Sequence, residues 1–305
     1  MNEFQKDLLA CLSTRPHRIS PKWFYDTMGS QLFEQICELP EYYPTRTEMA
    51  LLERHASDIA KHIGRDAEVI EFGAGASRKV RLLLDALESP SRFIPIDISG
   101  EHLLASVAEL KARYRDIDVL PVIADFTQSI ELPSPHGRRV GFFPGSSIGN
   151  FEPEHAQRML QDFASVLTGG WLLIGVDLVK DPQKLHAAYN DSAGITAAFN
   201  LNLLRRANRE AGADFDTAMW MHSAFYNPPL RRIEMHLVSR CKQPMSVAGQ
   251  SFTLDEGDSI HTENSYKYSV TGFQALACAA GWTPQTVWTD PDRTFSMHLL
   301  RCDSR

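Results

Sequence analysis

Three carboxylates and two glycines in this chain stand at spacings that suit a nucleotide-bearing small molecule. Glu71-Phe72-Gly73-Ala74-Gly75 follows an apolar run, and a helical pattern begins at Ser77. That order reads as a buried strand, a tight turn and a capped helix. Gly73 and Gly75 can adopt backbone angles closed to other residues, and they let a ligand approach the main chain. The helix start beyond them offers unpaired N–H groups and a partial positive charge. Asp97 comes about 20 positions later, the spacing of a carboxylate that accepts from both ribose hydroxyls. Asp125, followed by Phe126, offers an acceptor for an adenine amino group beside an aromatic face. A dinucleotide turn wants a third small residue for close helix packing, and Arg78 stands in that place.

These residues need a scaffold, and the pattern supplies one. Strands are expected at 67–72, 93–97, 119–125, 140–143 and 171–178, with helices near 77–88, 99–114 and from Pro153. Such alternation implies a right-handed parallel sheet with helices on both faces. Ligands of such sheets sit at the carboxyl ends of the strands, where Gly75, Asp97, Asp125 and Gly145 all fall. Upstream, short helices are expected to about residue 12 and over 31–39, with another from Thr45 to about Ile63. Trp23, Phe24, Tyr25, Tyr42 and Tyr43 make this leader too apolar to hang free. Residues 180–212 read as helical and 219–268 as antiparallel strands. A helix over 271–280 and two strands at 285–288 and 295–300 then resume the α/β pattern.

The expected organisation is therefore two domains, one of 46–180 with 266–305 and one of 1–45 with 181–265. The second is an α+β substrate domain built from the leader and an insertion, placed to cover the carboxyl ends of the strands, because pockets favour domain interfaces. A length of 305 residues allows this, and 43% hydrophobic with 23% charged residues fits a globular protein. The net charge of −7 argues against a nucleic-acid binder, which needs a cationic surface. Five cysteines without a C-x-x-C pair suggest free thiols in a reducing cytoplasm. No histidine spacing suggests a metal-ligand set, and neither a signal peptide nor a membrane-spanning run is evident.

Glu71-x-Gly73-x-Gly75 resembles the first motif of S-adenosylmethionine (SAM) methyltransferases, and the closing helix and hairpin resemble the end of the class I methyltransferase sheet. More specific are Pro21-Lys22-Trp23-Phe24-Tyr25-Asp26, Leu39-Pro40-Glu41-Tyr42-Tyr43-Pro44-Thr45-Arg46, Gly145-Ser146-Ser147-Ile148-Gly149-Asn150-Phe151 and Thr262-Glu263-Asn264-Ser265. Together, over nearly the whole chain, they resemble the histidine Nα-methyltransferases of ergothioneine biosynthesis. The resemblance implies trimethylation of the α-amino group of L-histidine to hercynine, with SAM as methyl donor. It assigns Gly73, Lys79, Asp97, Asp125 and Phe126 to SAM, with Tyr25 and Phe33 near the methyl-donor end, and Gly145 joins this cofactor set by its place at a strand's carboxyl end. It assigns Asn150 and Tyr189 to the substrate's amino and carboxylate groups, and Tyr42, Met235, Glu263 and Ser265 to the imidazole. Tyr25 is also a candidate proton relay. Ser147 stands where the family pattern has threonine, and Asn264 where it has an apolar residue that bears on the side-chain pocket.

The expected protein is a cytoplasmic monomer acting on L-histidine and its mono- and dimethyl forms. Rival readings are a methyltransferase for another amino acid such as tryptophan, an NAD-dependent oxidoreductase, and a non-catalytic SAM- or amino-acid-binding module. Asp97 suits NAD as well as SAM, but the broken dinucleotide turn and the closing hairpin count against NAD. The joint presence of Asn150, Tyr189 and Glu263 counts against a mere binding module.

Overall fold

Capping residues and prolines set the element boundaries in the computed structural model, which describes residues 1–75, 78–128 and 130–303. Asn2 caps α1 (Glu3–Ser13) by accepting from the Gln5 N–H, while the Gln5 side chain accepts from the Asn2 N–H. A short strand β1 (His17–Arg18) precedes α2 (Thr27–Glu38), whose cap is the Asp26 carboxylate on the Gly29 N–H. The next helix was expected from Thr45, but α3 spans Tyr43–Ile63. Pro44 sits in its first turn, where an N–H has no helical partner to lose.

The alternating segment follows as β2 (Ala67–Phe72), α4 (Arg78–Ala86), β3 (Arg92–Asp97), α5 (Gly100–Arg113), β4 (Asp118–Val119) and β5 (Val122–Ile123). Then come β6 (Arg138–Phe143), α6 (Pro153–Val166) and β7 (Trp171–Asp177). The expected cap at Ser77 lies outside the described residues. The single strand expected over 119–125 is two short pieces, β4 and β5, with Pro121 between them. Proline has no N–H to give the ladder, so Asp125 lies beyond the strand rather than on it.

The insertion begins with α7 (Pro182–Tyr189) and α8 (Ile195–Glu210). Its expected helical stretch is broken because the Asp191 carboxylate accepts from the Ile195 and Thr196 N–H groups, and so starts a new helix. Strands β8 (Trp220–Asn227), β9 (Arg232–Ser239), β10 (Gln243–Val247), β11 (Gln250–Leu254) and β12 (Ser259–Tyr266) follow. The chain closes with α9 (Val270–Ala279), β13 (Thr283–Thr289) and β14 (Phe295–Arg301).

These elements fold as two compact units. One comprises Pro44–Lys180 with Tyr266–Arg305, the other Met1–Tyr43 with Asp181–Ser265. In the first, strands run in the order β13-β14-β7-β6-β2-β3-β4, with β5 also on β3. The pairs from β7 to β4 are parallel, while β14 is antiparallel to both β7 and β13. This is the class I methyltransferase sheet, a Rossmann-like α/β fold. Its central strand β2 is buried along its whole length. Alternation sends Ala67 and Val69 into one core and Ile70 and Phe72 into the other. In the second unit, the sheet β1-β12-β9-β8 packs with helices α1, α2, α7 and α8 around a separate core.

Candidate active site

Gly73 and Gly75 both have positive φ, +74° and +48°. The Gly73 and Ala74 N–H groups donate to the Ile96 carbonyl at 2.9 and 3.0 Å, which ties the turn to the end of β3. A Cβ on Gly73 would stand 3.3 Å from the Phe126 ring. Phe126 in turn meets Phe143 and Phe151 edge-on. Asp97 accepts from the Gly75 N–H at 2.9 Å through one oxygen and from the Ser99 N–H at 2.8 Å through the other. Among the described residues each oxygen therefore has one lone pair engaged and one left over, the requirement for accepting from two vicinal hydroxyls. The Asp125 carboxylate accepts from the Thr127 N–H and hydroxyl, which fixes the turn that presents it.

Glu71, the acid of the motif, is almost completely buried. Burial pushes its carboxyl well above the ordinary range, against the pull of Lys79, with Asp97 and Glu48 adding to the rise. Its Oε2 has no hydrogen-bond partner among the described residues. A buried acceptor in that condition beside a glycine turn fits a cationic group of a bound small molecule, such as the α-ammonium of SAM.

The turn after β6 is held from three sides. The Gly145 N–H (φ +79°) donates to Glu48 at 2.8 Å, and the Asp177 N–H donates to Ser146 Oγ at 2.8 Å. A Cβ on Gly149 would stand only 2.8 Å from the Tyr266 carbonyl oxygen. Asn150 ends the resulting 3-10 turn, Ser147–Asn150. The Ser147 hydroxyl donates to the Pro144 carbonyl at 3.1 Å. Gly73, Lys79, Asp97, Asp125, Phe126, Gly145 and Asn150 all belong to this unit, at or just beyond the strands' carboxyl ends or, for Lys79, in the first turn of α4.

The other unit gathers the remaining named residues. The Tyr189 hydroxyl donates to Ser265 Oγ at 2.7 Å. Tyr42 meets Tyr189 and Phe33 edge-on, and Phe33 meets Tyr25. The Tyr42 phenol is pushed well above its ordinary value by burial, followed by Tyr189, Cys37, Glu263 and Tyr25. Those neighbours place Tyr25, Tyr189 and Glu263 around Tyr42. Met235 is buried on β9, its carbonyl accepting from Thr262 on the adjacent β12. Glu263 and Ser265 share one face of β12, whereas Asn264 lies on the opposite face, because successive strand side chains alternate. Asn264 therefore does not share the face of β12 that carries Glu263 and Ser265.

Folding also joins groups that sequence spacing did not connect. Glu234, His236 and His261 offer ligand atoms within 4.8 Å of one another. Glu234 accepts from Arg232 and Asn227, both at 2.9 Å, and His236 lies 3.2 Å from its other oxygen. Burial opposes ionisation of Glu234, but these hydrogen bonds outweigh it and bring the carboxyl down to about 2. Burial, then His236, pushes the His261 imidazole down to about 4. The two imidazoles are stacked at 4.6 Å and 12°. Parallel rings aim their lone pairs in parallel planes, which suits one shared ion poorly. Within the trio Glu234 bonds His236, His236 stacks on His261, and His261 is bonded to the Glu263 carbonyl.

The profile of the SAM-dependent, histidine-specific methyltransferase family matches residues 4–302. The chain belongs to this family. It is 40% identical to the histidine N-alpha-methyltransferase of Mycolicibacterium smegmatis, over 97% of this chain and 94% of that protein. It is 32% identical to ergothioneine biosynthesis protein 1 of Neurospora crassa, over 93% of this chain and 33% of that longer protein. A solved structure of a possible exported protein from Bordetella parapertussis shares the fold, with a TM-score of 0.54 at 11% identity, covering 93% of this chain and 85% of that one. As a histidine-specific methyltransferase, the chain uses SAM as methyl donor and a small amino acid as acceptor. Sequence reading missed Glu48 in this enzyme. Its signal was available: an acid on the same helical stripe as Leu51, Leu52 and Ile59, where a charge is expected only with partners.

Proposed function

We infer that this methyltransferase transfers three methyl groups in succession from SAM to the α-amino group of L-histidine, yielding hercynine. Gly73, Lys79, Asp97, Asp125, Phe126 and the Gly145 turn hold the donor. Asn150 and Tyr189 hold the amino and carboxylate groups of the acceptor. Tyr42, Met235, Glu263 and Ser265 surround the imidazole, and Tyr25 and Phe33 stand at the methyl-donor end. The observation that carries the substrate reading is the Tyr42, Tyr189, Glu263 and Ser265 cluster. Its polar tips lie among apolar rings, an arrangement suited to a side chain that is both aromatic and a hydrogen-bond donor.

The chemistry asks for alignment more than for acid or base power. Displacement at a sulfonium methyl needs a neutral amine in line with the breaking bond, so the residues that hold the amino acid do most of the work. An ammonium has no lone pair, so its proton leaves to water or to a nearby acceptor, with Tyr25 as the relay. Each added methyl removes one N–H, and the final product is a fixed cation with nothing left to donate.

Glu263 selects histidine over other amino acids. An imidazole N–H donates to a part-buried carboxylate in a charge-assisted bond, whereas phenylalanine leaves that carboxylate desolvated and unpaired. Indole also carries an N–H, and Tyr42 and Met235 reject tryptophan by size. The test is competition among histidine, tryptophan and phenylalanine, read by mass spectrometry with SAM. Glu263→Ala should lose most activity on histidine while its relative rate on the other two rises. A variant with unchanged preference removes Glu263 from the pocket, and a wild-type enzyme that prefers tryptophan refutes the substrate. We propose further that the enzyme works as a cytoplasmic monomer on histidine and its mono- and dimethyl forms. Among the described residues no helix is long and apolar enough to cross a membrane.

A further inference from the structure

Glu48 is fully buried, yet nothing in the reaction requires another acid. Its surroundings are shaped for a carboxylate. One oxygen accepts from Lys79 Nζ at 2.6 Å, and both accept from the Gly145 N–H, at 2.8 and 3.0 Å. On its other side stands Gly175 of β7, where a Cβ would lie 1.9 Å from Glu48 Oε1. A larger residue at Gly175 would occupy the space that the carboxylate fills. A purely structural ion pair has no need of these particular partners, because Lys79 opens α4 behind the glycine turn and Gly145 begins the turn after β6.

We propose that Glu48 is a positioning residue for methyl transfer, one carboxylate that sets both the Lys79 ammonium and the Gly145 turn against the donor. Lysine carries a compact charge on a flexible stem. A salt bridge from a side chain that cannot move fixes where that charge points. An ammonium has three donors, so the bond to Glu48 leaves two for an anionic group of the ligand. Lys79 keeps 17% of its side chain exposed, whereas Glu48 keeps none, so Lys79 is the member of the pair that can reach a ligand. The Gly145 N–H is engaged by Glu48, so this residue serves the donor site through its backbone conformation rather than as a hydrogen-bond donor. The turn that Glu48 holds at Gly145 continues into Asn150, which connects one buried acid to both substrates.

The inference rests on the reading that Lys79 meets SAM, and the experiment separates the two. Affinity for S-adenosylhomocysteine is measured by calorimetry, with KM for SAM and for histidine, in Glu48→Gln, Lys79→Met and the double variant. Lys79→Met is expected to weaken binding at least tenfold; no change there overturns the role of Lys79 itself. With that role intact, Glu48→Gln should weaken binding severalfold and raise KM for SAM. The double variant should then lose less affinity than the product of the two single losses, because part of what Glu48 does acts through that ammonium and the rest through the Gly145 turn. Multiplying losses, or unchanged affinity in Glu48→Gln, overturns the positioning role and leaves Glu48 a packing residue. Thermal unfolding of each variant separates loss of fold from loss of aim. Should Glu48→Gln not fold, Glu48→Asp, which keeps the charge but shortens its reach, is put through the same cycle and read by the same criteria.

Discussion

Replacing Asp97 tests the donor site at its best-defined point. The carboxylate already holds two backbone N–H groups, those of Gly75 and Ser99, one on each oxygen. Its two remaining lone pairs are the ones proposed to accept from the ribose hydroxyls. The Asp97→Asn variant keeps the shape but turns one acceptor into an NH2 group, which opposes a backbone N–H whichever way the amide is turned. A hydrogen bond to a charged group contributes on the order of 1.5–3 kcal/mol. At about 1.4 kcal/mol per tenfold, the loss in S-adenosylhomocysteine affinity is roughly 10- to 150-fold. Asp97→Ala removes both acceptors and frees the Gly75 turn, so its loss exceeds that of Asp97→Asn. Titration calorimetry reads both values, with thermal unfolding run alongside to separate a collapsed turn from a lost ligand contact. Full affinity in a folded Asp97→Ala protein would refute the assignment, whatever its activity.

Three further outcomes follow from particular contacts. Tyr189→Phe removes the donor to the buried Ser265 hydroxyl; a neutral bond of about 0.5–1.5 kcal/mol predicts up to a roughly tenfold rise in KM for histidine, with KM for SAM unmoved. Gly149→Ala places a Cβ 2.8 Å from the Tyr266 carbonyl oxygen, and such overpacking costs about 1–3 kcal/mol, read as a lower melting temperature and reduced turnover through Asn150. His298 is fully buried, and burial alone pushes its imidazole down to about 4. The unfolded chain takes up that proton near pH 6.5, so the stability His298 contributes is present above this pH and is lost as pH falls toward about 4. Urea unfolding at pH 7 and pH 5 should show this decline, and His298→Asn should lessen it, the depressed His261 imidazole keeping its own share; an equal decline in the variant would assign the effect elsewhere.

The glycine turn and the alternating parallel sheet were legible in the sequence because they rest on local rules, and the class I family through the resemblance that its motifs carry. A strand period, a left-handed glycine and the roughly 20-residue spacing to Asp97 are short-range properties of a chain. So was the isolation of Asp125 and Phe126 at one address, although Pro121 divided the strand before them. The expectation for Asn264 needed the register of β12, since only alternation on a formed strand moves it to the face opposite Glu263 and Ser265. Residues 180–212 looked continuously helical because Asp191 acts as a cap only once Ile195 and Thr196 turn toward it. Glu234, His236 and His261 lie on two strands whose adjacency no spacing announces. Glu48 shows the same limit most clearly. Its place on an apolar helical stripe is written in the sequence, but Lys79, Gly145 and Gly175 come to it from three separate elements. Pairing between distant segments depends on the packed sheet, so only the tertiary structure decides what that buried charge holds.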